Sequence, residues 1–523
     1  MPHQHQHQHQ QQHQPWYRPR RQQQQPVADN PYAPEGGTPG PPGRGRRFGK
    51  GPGIATALVL LLLAAGGGLY AVNGGRSADP RRPVAQEEPR ASGKPSADPT
   101  PAVRTPGTRR VPTSQEINAH RAPGDATAWI FNDPTDLPRR SIEFHDLWIV
   151  GDTVVQAVHR KVSAHRLSDG AEVWSVPLPA PVCETPVDAT PDGKVVLAYK
   201  SSQAVHGNRC NQLQMIDLRT GKPGWHKELS ETGPRDDTIT VNTAISGDVL
   251  AVVQGMRAAA YRVGDGAKLY DIPMENPGRC HPDDVAGGSR LLVKSDCAID
   301  VDRGKSYSQL REIDPRTGTV LWRHRTAQGW QVGKVLSADP VVITTFHAEE
   351  RTDNWRVVAL GPGGKPRTTV DARPKGFTYC AGEGSSDENL QNCSGAAVGD
   401  DTVFLGGTDR VGAYDLGTGK LVWGVKSEDS TLHPLRAQGG ESGALVYEAA
   451  SPSRPGGIVQ LGKGGAETKR QVLRHPASAR ATEAGMLAGR LAWTNDRIVI
   501  TPSVVYGDDA RSQARMLSFG PEH

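Results

Sequence analysis

Six cysteines, Cys183, Cys210, Cys280, Cys297, Cys380 and Cys393, are the residues of this chain whose type best suits covalent chemistry. No two are adjacent and none forms a C-x-x-C pair; the nearest two, Cys380 and Cys393, are thirteen positions apart. A thiolate zinc site needs closer ligand spacing than this. An even number of thiols suits disulfides instead, provided that the compartment is oxidising.

Other reactive patterns are incomplete. Asp300-Val-Asp302-Arg-Gly304 starts like a Ca²⁺ loop but lacks the further Asp or Asn and the closing Glu, so it reads as a polar turn. Gly304-Lys305-Ser306 has no glycine five residues earlier, which a phosphate-cradling loop requires. Neither H-E-x-x-H nor G-x-S-x-G occurs. His3, His5, His7, His9 and His13 alternate with Gln and could hold Ni²⁺ or Zn²⁺ loosely, but such composition reads first as a solvated low-complexity tail. No catalytic residue, cofactor or metal ligand is assigned.

The elements around these residues begin with charge. The chain has 523 residues, a formal charge of +5 and a mean hydropathy of −0.54, which excludes a polytopic membrane protein. Residues 1–53 carry seven Lys and Arg against Asp29 and Glu35, which accounts for the whole +5. The remainder is neutral, so no nucleic-acid partner is expected.

Ile54 to Val72 is uncharged and about 19 residues long, enough to cross a bilayer as a helix. Arg44, Arg46, Arg47 and Lys50 precede it, so the first fifty residues belong in the cytoplasm. A cleaved signal peptide is the rival reading, but its basic region would be very long and Ala71-Val72-Asn73 is a poor cleavage site. The expected order is a disordered tail (1–53), a transmembrane helix (54–72), a flexible Pro-rich linker (73–124) and a folded domain (125–523). All six cysteines then lie outside the cytoplasm.

The folded domain is a repeat. Short strands such as DTVVQAV, KVVLAY, DVLAVVQ, PVVITTF and RIVITP are each followed by a turn and another strand. A hairpin with a Gly-bearing turn precedes an aromatic by four residues in LSDGAEVW, IDLRTGKPGW, YRVGDGAKLY, IDPRTGTVLW and YDLGTGKLVW. Weaker copies are LGPGGKPRT and LGKGGAETK. Aligned on that turn, Trp129, Trp174, Trp225, Tyr270, Trp322, Thr368, Trp423 and Lys469 fall at spacings of 45, 51, 45, 52, 46, 55 and 46. Such a period, with four short strands per unit, is that of β-propeller blades. After Lys469 come only three strand-like runs, MLAGRLAWT, DRIVITPS and ARMLSFG, while Trp129 stands in a strand without upstream partners. Joining the two ends gives an all-β ring of eight four-stranded blades with no open edge.

The hairpin D-x-x-T-G-K-x-x-W, seen at Asp217–Trp225 and Asp415–Trp423, resembles the repeat of PQQ-type eight-bladed propellers. That family includes quinoprotein dehydrogenases and BamB-like lipoproteins of outer-membrane assembly. The resemblance spans about residues 125–523 and implies fold more strongly than function. It implies that Trp129, Trp174, Trp225, Tyr270, Trp322 and Trp423 are structural residues docking one blade on the next. A quinoprotein dehydrogenase would also want a Ca²⁺ held by oxygens beneath the quinone, an Asp base and commonly an adjacent Cys-Cys pair, which this sequence lacks.

In blade terms, Cys183 leads into blade two and Cys210 lies in its B–C loop. Cys280 and Cys297 hold the matching places of blade four, and Cys380 and Cys393 share the loop leading into blade six. All six gather at one end of the ring, stapling loops that present a binding surface. The expected protein is a single-pass, plasma-membrane-anchored, monomeric propeller outside the cytoplasm. It binds or scaffolds an extracytoplasmic protein or small ligand without cofactor or catalysis. The alternatives are a PQQ-dependent dehydrogenase and a ligand-sensing ectodomain.

Overall fold

The computed structural model describes residues 110–522 apart from 133–136, 205–206, 234, 276–279, 298–304, 351–352, 373–375, 378–388, 392, 439–442, 487–488 and 508–512. The tail, the apolar segment 54–72 and linker residues 73–109 lie outside the described residues, as does the Asp300–Gly304 turn. Among the described residues no helix is long and apolar enough to cross a membrane.

The strands pair into eight antiparallel sheets. Within each blade they are called A to D from the inside outwards. The A strands of blades one to eight are Ser141–Val150, Val182–Glu184, Val241–Ser246, Cys280–Ala286, Trp330–Ala338, Ala396–Val398, Leu432–Gln438 and Leu491–Thr494. Blades one to seven take their four strands in sequence order. Blade eight combines Leu491–Thr494, Arg497–Ile500 and Met516–Gly520 with Thr127–Phe131 from the other end of the domain. Trp129 pairs with Ser518 in that sheet, so the ring closes through the N-terminal strand, as the repeat count requires. One strand was not legible in the repeat: Val504–Tyr506 leaves blade eight and pairs with Ser141–Glu143, adding a fifth strand to blade one.

The apolar core lies between blades rather than at a common centre. One cluster joins blades one, two and three through Trp148, Val196, Leu213 and Leu250. Others join three to four, four to five, five to six, six to seven, seven to eight and eight to one. Each B strand is therefore covered on both faces, which is why Thr153–Val158 is buried at every position and reads as a near-continuous apolar run.

The C–D hairpins connect this packing to the sequence motif. In blade two the Asp217 carboxylate accepts the N–H groups of Arg219 and Thr220 at 2.9 and 3.2 Å, while Gly221, at φ +70°, donates back to the Asp217 carbonyl at 2.8 Å. Asp314 and Asp415 make the same turn in blades four and six; the backbone N–H bonds hold the Asp314 carboxyl below the ordinary range, and the Thr418 hydroxyl followed by the backbone N–H bonds does so for Asp415. The turn presents its glycine to the aromatic of the preceding blade. A Cβ at Gly170, Gly221, Gly266, Gly318 or Gly364 would lie 2.2–2.7 Å from the ring of Trp129, Trp174, Trp225, Tyr270 or Trp322. Only glycine leaves room for that contact. Trp129 and Trp225 also donate to Leu167 O and Val263 O, each at 2.7 Å.

Trp423 packs against the next blade without the turn glycine, buried with Leu432, Val446 and Leu461 of blade seven. The following hairpin is tighter, pairing Gly462 directly with Gly465, and a Cβ on Gly465 would meet Gly424 O at 3.4 Å, Val425 Cγ2 at 3.6 Å and Trp423 Cβ at 3.9 Å before any atom of the indole. The Trp423 ring lies instead 5.9 Å from Phe404 of its own blade.

The linker boundary also needs correction. Residues 114–119 form helix α1 (Ser114–Ala119), started by a Thr113/Glu116 capping box. Ile117 is fully buried against Ala126, Leu473 and Ala479. Asn118 exchanges hydrogen bonds with the backbone of Ala128 at 2.7 and 2.9 Å, and Ser478 donates to Ile117 O at 2.9 Å. The folded domain therefore begins before residue 114, and α1 latches the closing blade. Apolar periodicity could not reveal a six-residue helix with one buried side chain.

Candidate functional site

The A strands carry most of the unusual chemistry. Five of them slip register at equivalent places, between Phe144 and Leu147, Val182 and Glu184, Pro282 and Asp284, Val332 and Val335, and Pro434 and Arg436. A bulge frees ladder groups and re-aims the bulged side chain. Here the bulges hold Asp146, Glu184, Asp284, Lys334 and Arg436, polar residues inside otherwise apolar strands.

Four of these residues and their neighbours form a belt around the axis. Arg490 of blade eight lies 3.6 Å from Asp146 of blade one, which accepts the Thr185 hydroxyl of blade two at 3.2 Å. Glu184 of blade two accepts the Thr243 N–H and hydroxyl of blade three at 3.2 and 3.4 Å. Asn242 donates to Asp283 O of blade four at 2.9 Å, and Lys294 holds the Asp283 carboxylate at 2.5 Å. Lys334 of blade five, almost fully buried, donates to the carbonyl of Asn389.

Burial dominates the electrostatics. It holds the Glu184 carboxyl well above the ordinary range, with Asp284 and Asp146 adding repulsion. Asp284 is pushed up to about 7 by burial and by Asp283, against the pull of Lys294. Asp188 is raised by burial as well. Lys294, in spite of its burial, is held above the ordinary lysine range by Asp283, Asp296 and Asp284. His145, beside Asp146, is lowered by burial. Perturbed carboxyls gathered in one enclosed place mark the axis as the first region to test for function.

The segment Asn389–Gln391, in the loop leading into blade six, joins this belt. Asn389 Nδ2 lies 3.4 Å from Thr185 O of blade two, and Gln391 Nε2 donates to Asp188 at 2.9 Å. Gly287 N–H of blade four donates to Gln391 Oε1 at 2.7 Å, and Val335 N–H of blade five to Leu390 O at 2.8 Å. Blades six and two are opposite one another in a ring of eight. The segment therefore spans the axis.

Cys183, Cys210, Cys280 and Cys393 lie where the blade assignment put them. Cys183–Cys210 and Cys280–Cys297 are disulfides, with Cα–Cα distances of 5.9 and 4.1 Å. Cys297 is the last residue of strand B, directly opposite Cys280, rather than in the loop. Cys393 is disulfide-bonded, while Cys380 lies outside the described residues. Ser306 of the G-K-S triplet accepts a hydrogen bond from Gln331 at 2.9 Å, as a loop residue would. Among the described residues no group of His, Cys, Asp and Glu is placed to hold a metal ion.

Eight blades of A–B–C–D strands are closed by an N-terminal strand, and several dock through aromatic–glycine contacts. Residues 113–350, from the latch helix into blade five, match the family model described as outer membrane protein assembly factor BamB. Those residues carry the PQQ-type propeller repeat. Blades six to eight continue that repeat beyond the matched residues. Solved structures similar to this chain include BamB from Moraxella catarrhalis, at 14% identity over 76% of this chain and 99% of that one, with a TM-score of 0.41. A quinohemoprotein alcohol dehydrogenase from Pseudomonas putida is similar at 11% identity, over 79% and 82% of the two chains, with a TM-score of 0.42. The computationally designed Ika8 protein gives 12%, 75%, 100% and 0.45 for the same measures. No curated protein matches the chain.

None of Asp146, Glu184, Asp188, Asp284, Lys294, Lys334 or Gln391 stands out in the repeat. The available signal was a polar residue interrupting each apolar A strand, in FHDLW, VCETP, PDDVA and VGKVL.

Proposed function

We propose that this chain is a membrane-anchored, extracytoplasmic PQQ-type propeller that binds or scaffolds a partner and performs no catalysis. The observation that carries the reading is the internal pairing of the axial belt. Asp146 is engaged by Arg490 and Thr185, Glu184 by Thr243, Asp283 by Lys294 and Asp188 by Gln391. Side chains that satisfy one another rigidify a ring and leave recognition to its loops.

The quinone cofactor suggested by the dehydrogenase branch fits these residues poorly. Pyrroloquinoline quinone is a tricarboxylate. Asp146, Glu184, Asp188, Asp283 and Asp284 outnumber Lys294, Lys334 and Arg490 in the belt, and burial already disfavours charge on Glu184 and Asp188. Lys294 and Arg490 are already engaged by Asp283 and Asp146, so three further carboxylates would lose their hydration there without gaining cations of their own. No step is derived through the quinone.

The two disulfides and the basic flank of 54–72 support the anchor and its orientation, because structural disulfides persist outside the cytoplasm. Two measurements test the proposal on the full-length protein. A reporter active only in the cytoplasm, fused after His523, stays silent while the protein sediments with membranes. Incubation with the quinone and Ca²⁺ leaves no absorbance that survives gel filtration and no alcohol-dependent dye reduction. A bright reporter overturns the orientation, and retained stoichiometric quinone overturns the non-catalytic role.

A further inference from the structure

Asn389, Leu390 and Gln391 belong by sequence to blade six, yet the contacts described above tie them to blades two, four and five. The two carboxamides and the Asn389 and Leu390 carbonyls meet Thr185 O, Asp188, Gly287 N–H, Lys334 and Val335 N–H. Leu390 itself is 1% exposed, inside an apolar cluster with Ala286, Leu292, Val332 and Ile343. Three residues thus make polar contacts to three other blades around a buried aliphatic anchor. The segment is bent rather than extended, because Gln391 N–H donates to Asn389 Oδ1 at 2.9 Å, and it is held as a receptor holds a short peptide turn: backbone and carboxamide groups pair with the receptor, and one apolar pocket takes the central side chain.

The receiving surface explains why such a seat exists. The A strand of blade five is irregular on both sides of Val335, which frees its N–H for Leu390 O. In blade four, the Gly287 N–H lies just beyond the A strand and points to no ladder partner, taking Gln391 Oε1 instead. We infer that these strands form a peptide-binding seat on the ring axis, occupied in cis by Asn389–Gln391. Its ligand class is a short bent peptide with an aliphatic residue between two carboxamide side chains.

Cis occupancy makes the resident segment hard to displace. Tethered at Cys393, which is itself disulfide-bonded two residues after Gln391, it acts at an effective concentration on the order of millimolar or higher. A free peptide of the same chemistry binds measurably only when the resident side chains are removed. The seat is a property of the ring, independent of the anchor and of the binding role proposed above.

The test uses the full-length protein and the peptide acetyl-Asn-Leu-Gln-amide. The variant N389A/L390A/Q391A melts at lower temperature than the wild type, and the peptide raises its Tm and binds with a Kd on the order of 1 mM or tighter. The wild type shows neither effect, and acetyl-Asn-Asp-Gln-amide does nothing to the variant because its centre is charged. If the triple variant fails to fold, Leu390→Ala alone serves, with the same rise in Tm expected. No peptide-dependent shift up to about 10 mM in a folded variant overturns the seat, as does an equal response from the charged peptide.

Discussion

The indole of Trp129 covers Gly170 so closely that a Cβ on the glycine would lie 2.6 Å from Cε3 of the ring. The two residues belong to blades eight and one, and their contact closes the ring. Gly170 also sits at φ +75°, where side chains are strained. Gly170→Ala is expected to lose about 1–2 kcal/mol to that strain and a further ~1–3 kcal/mol to overpacking against the indole. Gly151→Ala, at φ +62° with nothing within 4 Å, bears the strain alone. The difference between the two variants in urea unfolding measures the docking contact. Equal losses would mean that the blade tolerates the clash.

Ring closure makes the N-terminal boundary testable. Trp129 is 3% exposed, and Trp129→Ala should cost about 3–5 kcal/mol. A chain starting at residue 110 keeps α1 and should melt like a chain starting at residue 73. One starting at residue 121 loses Ile117 and Asn118 and should melt several degrees lower, by roughly 2–4 °C per kcal/mol removed. One starting at residue 137 loses the closing strand and should melt lowest. Thermal melts of the four chains check the order.

The axial carboxyls give stability an unusual pH dependence. Glu184, Asp188 and Asp284 are raised, so the folded state holds their protons more tightly than the unfolded chain does. Their contribution is fully present below about pH 4. It is lost as pH rises, for Asp284 between its ordinary 3.8 and about 7. Lowered turn carboxyls such as Asp314 and Asp415 act oppositely, losing their contribution as pH falls through the folded value. Stability should therefore decline from pH 5 towards pH 8 in urea titrations at fixed salt. Glu184→Gln with Asp284→Asn should flatten that decline. An unchanged slope would show that these groups do not set it.

Cys183–Cys210 and Cys280–Cys297 each close a short loop, with sequence separations of 27 and 17 residues. Replacing Cys183 and Cys210 by Ser should cost about 2–4 kcal/mol in the oxidised protein and nothing after full reduction. Unfolding curves with and without reductant compare the two states. A loss that persists in reductant would point to packing of Cys210, which is buried, rather than to the crosslink.

Much of this fold is written in local sequence, because its repeating unit is local. An Asp accepting N–H groups two and three residues ahead, a glycine at positive φ and an aromatic four residues later define the C–D hairpins of blades two, four and six, and weaker copies fall at the same spacing, so the period and the blade count follow from it. Trp129 could be assigned to the last blade because a ring with three strands left over has only one partner for an orphan strand. Cysteine positions within that period likewise placed Cys183 near Cys210 and Cys280 near Cys297. The axis is different. Glu184 and Thr243, Arg490 and Asp146, and Asp188 and Gln391 meet only after blades far apart in the chain are bent into a circle, and the bulges that place them leave no periodic trace. Whether Trp423 docks on a turn, or Ile117 on a core, depends on the shape of one neighbouring hairpin and one buried gap. Hydrogen-bond ladders and turns are decided within a few residues of sequence; charge burial and fit across the ring are decided only by the closed structure.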